Sequence, residues 1–227
     1  FEVVEKSSGQ LNFSAGYNGL YGFTGGGGFT FPNFLGKGQN ISFNYTRGLS
    51  SNQQSNIPVN NFSQEVKSNQ QFAFSYVEPR LFNTSNLVGV SLNYTERGQS
   101  TTYSMPFDSK SYGGGIRLGR RFNWPDKFFK GTWMLSGSKR QYYSSDESNL
   151  LSYYTSSIQD YIIFEDNKYI FSTSGISMKQ TIIRDNRDRP EFPTQGSQFN
   201  WTFTFSGGFL GGDEDYYKNE LSLKWYN

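Results

Sequence analysis

Apolar residues recur at every second position through most of this chain. Leu11, Phe13, Ala15 and Tyr17 alternate with Gln10, Asn12, Ser14 and Gly16. Successive side chains of a β-strand point to opposite faces, so this spacing predicts a strand with one apolar and one polar face. The same period groups Phe23, Phe29 and Phe31 in a second strand, Ile41, Phe43 and Tyr45 in a third, and Phe72, Phe74 and Tyr76 in a fourth. Val88, Val90, Leu92 and Tyr94 mark a fifth, Tyr112, Ile116 and Leu118 a sixth, Trp133 and Leu135 a seventh. A longer eighth runs through Ile170, Ile176, Met178 and Ile182. In the ninth, Phe199, Trp201, Phe203 and Phe205 oppose Asn200, Thr202 and Thr204, and Leu221, Leu223 and Trp225 mark the tenth. No segment carries the helical period convincingly, so the expectation is an all-β chain of about ten strands.

The connections alternate too. Those after the second, fourth, sixth and eighth strands are compact and contain Pro: PNFLGKGQ, EPRLFNTSN, NWPDKFF and RDNRDRPEFPTQGS. Those after the third, fifth and seventh are longer and polar. Short turns at one end, long loops at the other and alternating strands between them predict a transmembrane antiparallel β-barrel with its apolar face towards lipid. The loops at 49–66 and 144–167 fit either cell-surface partner sites or mobile segments, and mobility is the expectation.

Composition supports this choice of solvent. Only 34% of the 227 residues are hydrophobic and mean hydropathy is -0.66, yet 19% are aromatic, more than a disordered chain would carry. The non-apolar faces are Asn, Gln, Ser, Thr and Gly, which suit a wet lumen. The competing soluble β-sandwich would alternate because one face packs on a core. No run approaches the roughly 18 apolar residues of a membrane-spanning helix. With a net charge of +2 and scattered basic residues, nothing pulls towards nucleic acid.

Candidate chemistry is sparse. The chain has no His and no Cys, which removes Ser-His-Asp triads, thiol chemistry and most zinc sites. The glycine run Gly25 to Gly28 lies in a strand pattern with no helix after it, so close packing or sheet curvature outweighs a phosphate cradle. Asp185, Asp188 and Glu191 suggest metal ligands, but the interleaved Arg184, Arg187 and Arg189 favour a charge-paired turn. GGDED at 211–215 lacks the spaced oxygens of a calcium loop. The chain reads as non-enzymatic and without cofactors.

Several ordered segments resemble one family. GQLNFSAGYNGLYGFTGGGGFTFPNFLGKGQ is similar to the start of the barrel in the BamA family of outer-membrane protein assembly factors, with its turn at Asn33, Phe34, Leu35, Gly36, Gly38 and Gln39. YVEPRLFNTSNLVGVSLNY resembles the family's next turn at Glu78, Pro79, Leu81 and Phe82. RDNRDRPEFPTQGSQ resembles a further one at Arg184, Asp185, Arg187, Asp188, Phe192, Pro193, Thr194 and Gly196.

The resemblance implies about ten N-terminal strands of a larger, sixteen-stranded barrel in the bacterial outer membrane. It makes residues 1–8 a linker from upstream periplasmic POTRA domains and 9–227 the partial barrel. It also implies insertion of unfolded outer-membrane proteins, with membrane lipid and accessory assembly lipoproteins as partners and no nucleic acid. Leu11, Asn12, Phe13, Ser14, Ala15, Gly16 and Tyr17 would form the lateral-gate edge strand, where the outward apolar band is weakened by Ala15. A related protein-secretion barrel and a passive porin or receptor barrel remain alternatives.

Overall fold

The computed structural model describes residues 9–18, 22–49, 68–98, 106–154 and 156–227. Its strands are β1 (Gln10–Asn18), β2 (Gly22–Phe34), β3 (Gln39–Leu49), β4 (Ser68–Glu78), β5 (Asn86–Arg97), β6 (Asp108–Arg121), β7 (Phe129–Ser144), β8 (Ile163–Glu165), β9 (Lys168–Asp185), β10 (Gly196–Ser206) and β11 (Tyr216–Tyr226). All lie in one antiparallel sheet whose strands follow chain order, with β7 pairing β9 directly and β8 forming only a hairpin with β9. The sheet is open, with β1 and β11 at its two edges. The predicted strands are all present, and the turns between them fall where the Pro-containing connections placed them.

Register brings the apolar positions together. Phe31, Ile41, Tyr76, Val90, Ile116, Leu135, Met178 and Phe205 occupy successive strands of one cross-strand row. Rings pack along this face, Phe29 on Phe43 and Phe43 on Phe72, with centroids 5.3 and 5.0 Å apart. Among the described residues no protein layer covers them, and Phe13 is 84% exposed. An apolar face this extensive needs a non-aqueous contact. Among the described residues no helix is long and apolar enough to cross a membrane. Within the apolar band, the outward positions Gln180 and Asn219 are polar. Trp133 Nε1 donates to Gln180 Oε1 at 3.2 Å and Trp201 Nε1 to Asn219 Oδ1 at 3.4 Å, so each amide oxygen has a partner on the lipid face.

Within 144–167 the expectation that the chain has no helix is corrected. The loop there contains α1 (Glu147–Tyr154) and β8, ordered around a small core of Phe107, Leu150 and Phe171. Tyr142 and Phe171 belong to the inward faces of β7 and β9, so the loop folds over the lumen side of the sheet. Asp146 caps the helix, its Oδ1 accepting the Ser148 N–H at 3.0 Å. Eight residues with one fully buried position, Leu150, are too few to display a helical period. The loop at 49–66 beyond Leu49, and the linker expected at 1–8, lie outside the described residues.

β9 extends past the end of β10, and the segment after β10 covers its bare edge. Gly207 N–H donates to the Ile176 carbonyl at 3.0 Å and Asp213 N–H to that of Ser174 at 2.8 Å. The Asp213 carboxylate accepts the Ser174 N–H and hydroxyl, at 2.5 and 3.0 Å. Asp215 accepts the Gly208 N–H at 2.6 Å and Glu214 faces Arg140 at 3.7 Å. Within the acidic GGDED stretch, Asp213 thus covers strand edge, Asp215 braces the segment itself and Glu214 faces β7.

Candidate functional site

β1 pairs with β2 over its full length, from Gln10 opposite Thr30 to Asn18 opposite Gly22, and its other edge is unpaired among the described residues. Leu11, Phe13, Ala15 and Tyr17 face outward, while Asn12, Ser14 and Gly16 face the lumen side. The structure thus brings all seven predicted edge residues onto one bordering strand. Opposite them stand glycines: Asn12, Phe13, Ser14 and Ala15 pair with Gly28, Gly27, Gly26 and Gly25. Cross-strand side-chain pairs each contribute ~0.2–1 kcal/mol to a sheet, and a glycine supplies none. Only the ends of β1 are better furnished, by Leu11 opposite Phe29 and by the edge-to-face pair of Tyr17 and Phe23, 5.2 Å between centroids. β1 is consequently held mainly by its backbone ladder. Glycine is also required on the far side of β2, where a Cβ at Gly26 would lie 2.7 Å from the Tyr45 carbonyl oxygen.

The predicted turn residues assemble at the opposite rim from the long loops. Asn33 and Leu35 take left-handed backbone, φ 60° and 57°, and Asn33 Oδ1 accepts the Gly38 N–H at 2.7 Å. Gln39 Nε2 donates to Glu78 Oε2 at 2.5 Å, which ties the Phe34, Leu35 and Gly36 turn to the one formed by Glu78, Pro79, Leu81 and Phe82. The β9–β10 turn makes a second clamp: Arg184 Nε donates to Asp126 Oδ2 at 2.8 Å, reaching the β6–β7 turn. Arg187 holds Asp185 through two bonds of 2.8 Å. Gly196 has φ 105°, and a Cβ there would meet the Asn186 carbonyl oxygen at 2.6 Å. Phe192 is 79% exposed, and Pro193 precedes the Thr194 that binds Asp188. The Thr194 hydroxyl, then the Gln195 N–H, hold the Asp188 carboxyl at about 2, well below the usual aspartate value. Asp185 and Asp188 thus have arginine and threonine partners, and no cluster suited to a metal occurs among the described residues.

Sequence reasoning missed a polar belt at the loop end of the outward face. The register row continuing from Ala15 and Gly25 holds Arg47, Gln70, Glu96 and Lys110 on β3 to β6. Tyr45 hydroxyl donates to Gln70 at 3.4 Å, Gln70 to Glu96 at 2.5 Å and Tyr94 to Glu96 at 2.9 Å, while Lys110 lies 3.8 Å from Glu96. On β7 and β9 the outward face already turns polar one outward position nearer the turns, at Lys139 and Ser174, as strand tilt requires. The available signal was a polar residue two positions beyond the last ring of four consecutive apolar runs.

The Omp85 superfamily domain matches residues 33–227 of the chain. A crystal structure of BamA from Haemophilus ducreyi lacking POTRA domains 1–3 matches 96% of the chain with a TM-score of 0.61 and 21% identity. The match takes in 37% of that protein's chain, so the present sequence spans little over a third of its length. An open, antiparallel, lipid-facing sheet with this superfamily match identifies the chain as a bacterial outer-membrane β-barrel protein that belongs to the Omp85 superfamily.

Proposed function

We propose that this chain supplies the edge at which unfolded β-barrel proteins pair and enter the outer membrane, with Leu11 to Tyr17 as the lateral-gate strand. The reading rests on β1: a bordering strand of nine residues whose partner strand opposes it with a run of glycines. An incoming strand would pair with the free N–H and C=O groups of β1 by β-augmentation. In hydrocarbon the alternative is unsatisfied backbone, so pairing itself drives the step without nucleotide or redox energy. No covalent bond changes, and the reading is non-catalytic. Leu11, Phe13 and Tyr17 would stay against lipid while Asn12, Ser14 and Gly16 border the lumen. Upstream periplasmic domains and accessory lipoproteins would deliver the substrate.

A photocrosslinking residue at Ser14 tests the assignment against the same residue at Ala73 in β4 or Ser91 in β5. A stalled substrate strand should be captured from β1 and not from the inner strands. Equal yields from all three positions would remove the edge assignment.

A further inference from the structure

Arg47 is the one member of the polar belt on β3 to β6 without a hydrogen-bond or carboxylate partner among the described residues. Glu96 is matched by Lys110, so among the described residues no carboxylate faces the Arg47 charge. Beside Arg47 the belt stops, because the next two residues of the row are Gly25 and Ala15. With only a methyl at Ala15 and no side chain at Gly25, a shallow notch of about 660 Å³ opens there, lined by Ala15, Gly16, Tyr17, Phe23, Thr24, Gly25 and Arg47. The Tyr17–Phe23 ring pair closes it towards the loops. A Cβ on Gly25 would meet nothing nearer than 3.9 Å, so close packing of the sheet does not require glycine there.

We propose that the notch binds a phosphate-bearing lipid of the outer leaflet, with the phosphate on the Arg47 guanidinium and an acyl chain over Gly25 and Ala15. The guanidinium presents paired donors that match phosphate oxygens. It stands where the outward face turns from apolar to polar, the depth of a headgroup. The lining of the notch is otherwise mostly apolar, with the Thr24 hydroxyl already spent on the Gly16 carbonyl, which suits an acyl chain better than a soluble anion. The notch is reached sideways, from the bilayer. This site goes beyond the insertion reading and needs only that the outward face meets lipid.

The test uses the complete protein in phosphatidylcholine nanodiscs doped with lipid A, either with its phosphates or after phosphatase treatment, and counts retained lipid by native mass spectrometry. Arg47→Gln should lower retention of the phosphorylated lipid about tenfold, and Arg47→Lys should fall between that variant and the wild type. Gly25→Leu, which fills the floor and keeps the charge, should lower it as well. Phosphatase-treated lipid A should bind the wild type no better than phosphorylated lipid A binds Arg47→Gln. Equal retention by Arg47→Gln and wild type would overturn the proposal, and so would equal retention of the two lipids. Complete displacement by millimolar inorganic phosphate would also overturn it, since a bare anion contact would then suffice. Because lipid retention is read without any substrate, it stands or falls separately from crosslinking at Ser14.

Discussion

Asp188 accepts hydrogen bonds from the Thr194 hydroxyl at 2.7 Å and from the N–H groups of Thr194 and Gln195 at 2.9 and 3.1 Å. Its carboxyl titrates at about 2 in the folded turn, against roughly 3.9 for a free aspartate. A depressed carboxylate stabilises the turn fully above the free value and ceases to do so as pH falls through the folded one. Exchange protection of the Thr194 and Gln195 amides should therefore hold at pH 5 and be lost between about pH 4 and pH 2. Asp188→Asn should remove that pH dependence, and a wild-type midpoint near 4 would contradict the assigned contacts. At this scale the sequence was partly legible. Interleaved Arg and Asp at 184–189 signalled a charge-paired turn, and Arg187 does hold Asp185. Asp188 instead turns to Thr194, six residues away, a partner that only the folded backbone brings within reach.

The strands differ in what joins them. β7 and β9 pair over sixteen residues, from Phe129–Arg184 to Ser144–Tyr169, and add side-chain bonds such as Ser136 to Ser177 at 2.9 Å. β1 has nine pairs and glycines opposite its centre. Local opening follows the least supported pairing. Amides of β1 and of the β2 residues facing it should exchange at least about tenfold faster than those in the middle of β7 in lipid nanodiscs. Comparable rates would remove the physical basis for an opening edge. Strand existence was legible because period two persists through rings and small residues alike. Helix α1 was hidden by its shortness, and the core of Phe107, Leu150 and Phe171 by coming from three separated segments. The polar belt needed the register, which no single strand reveals.

For the molecule as a whole, the assembly reading concerns other proteins more than this one. Depleting it from its native cell and quantifying the outer-membrane proteome should show many unrelated β-barrels falling together. Loss of one exported protein, or of uptake of one solute, would favour the secretion or porin alternative. The superfamily was legible from its ordered turns, and the structure explains why those turns carry the resemblance. Gln39 with Glu78, and Arg184 with Asp126, hold neighbouring turns to each other, so residues distant in sequence are constrained together.

The unequal reach of the strands has a further consequence for the shape seen from outside the cell. Beyond the polar limit of the outward face, β7 continues from Lys139 to Ser144 and β9 from Ser174 back to Lys168, with α1 folded against their inner side. β1 ends at Asn18, directly after the apolar Tyr17. The described rim is therefore a slope, a tall parapet over β7 and β9 falling to a sill at lipid level beside β1.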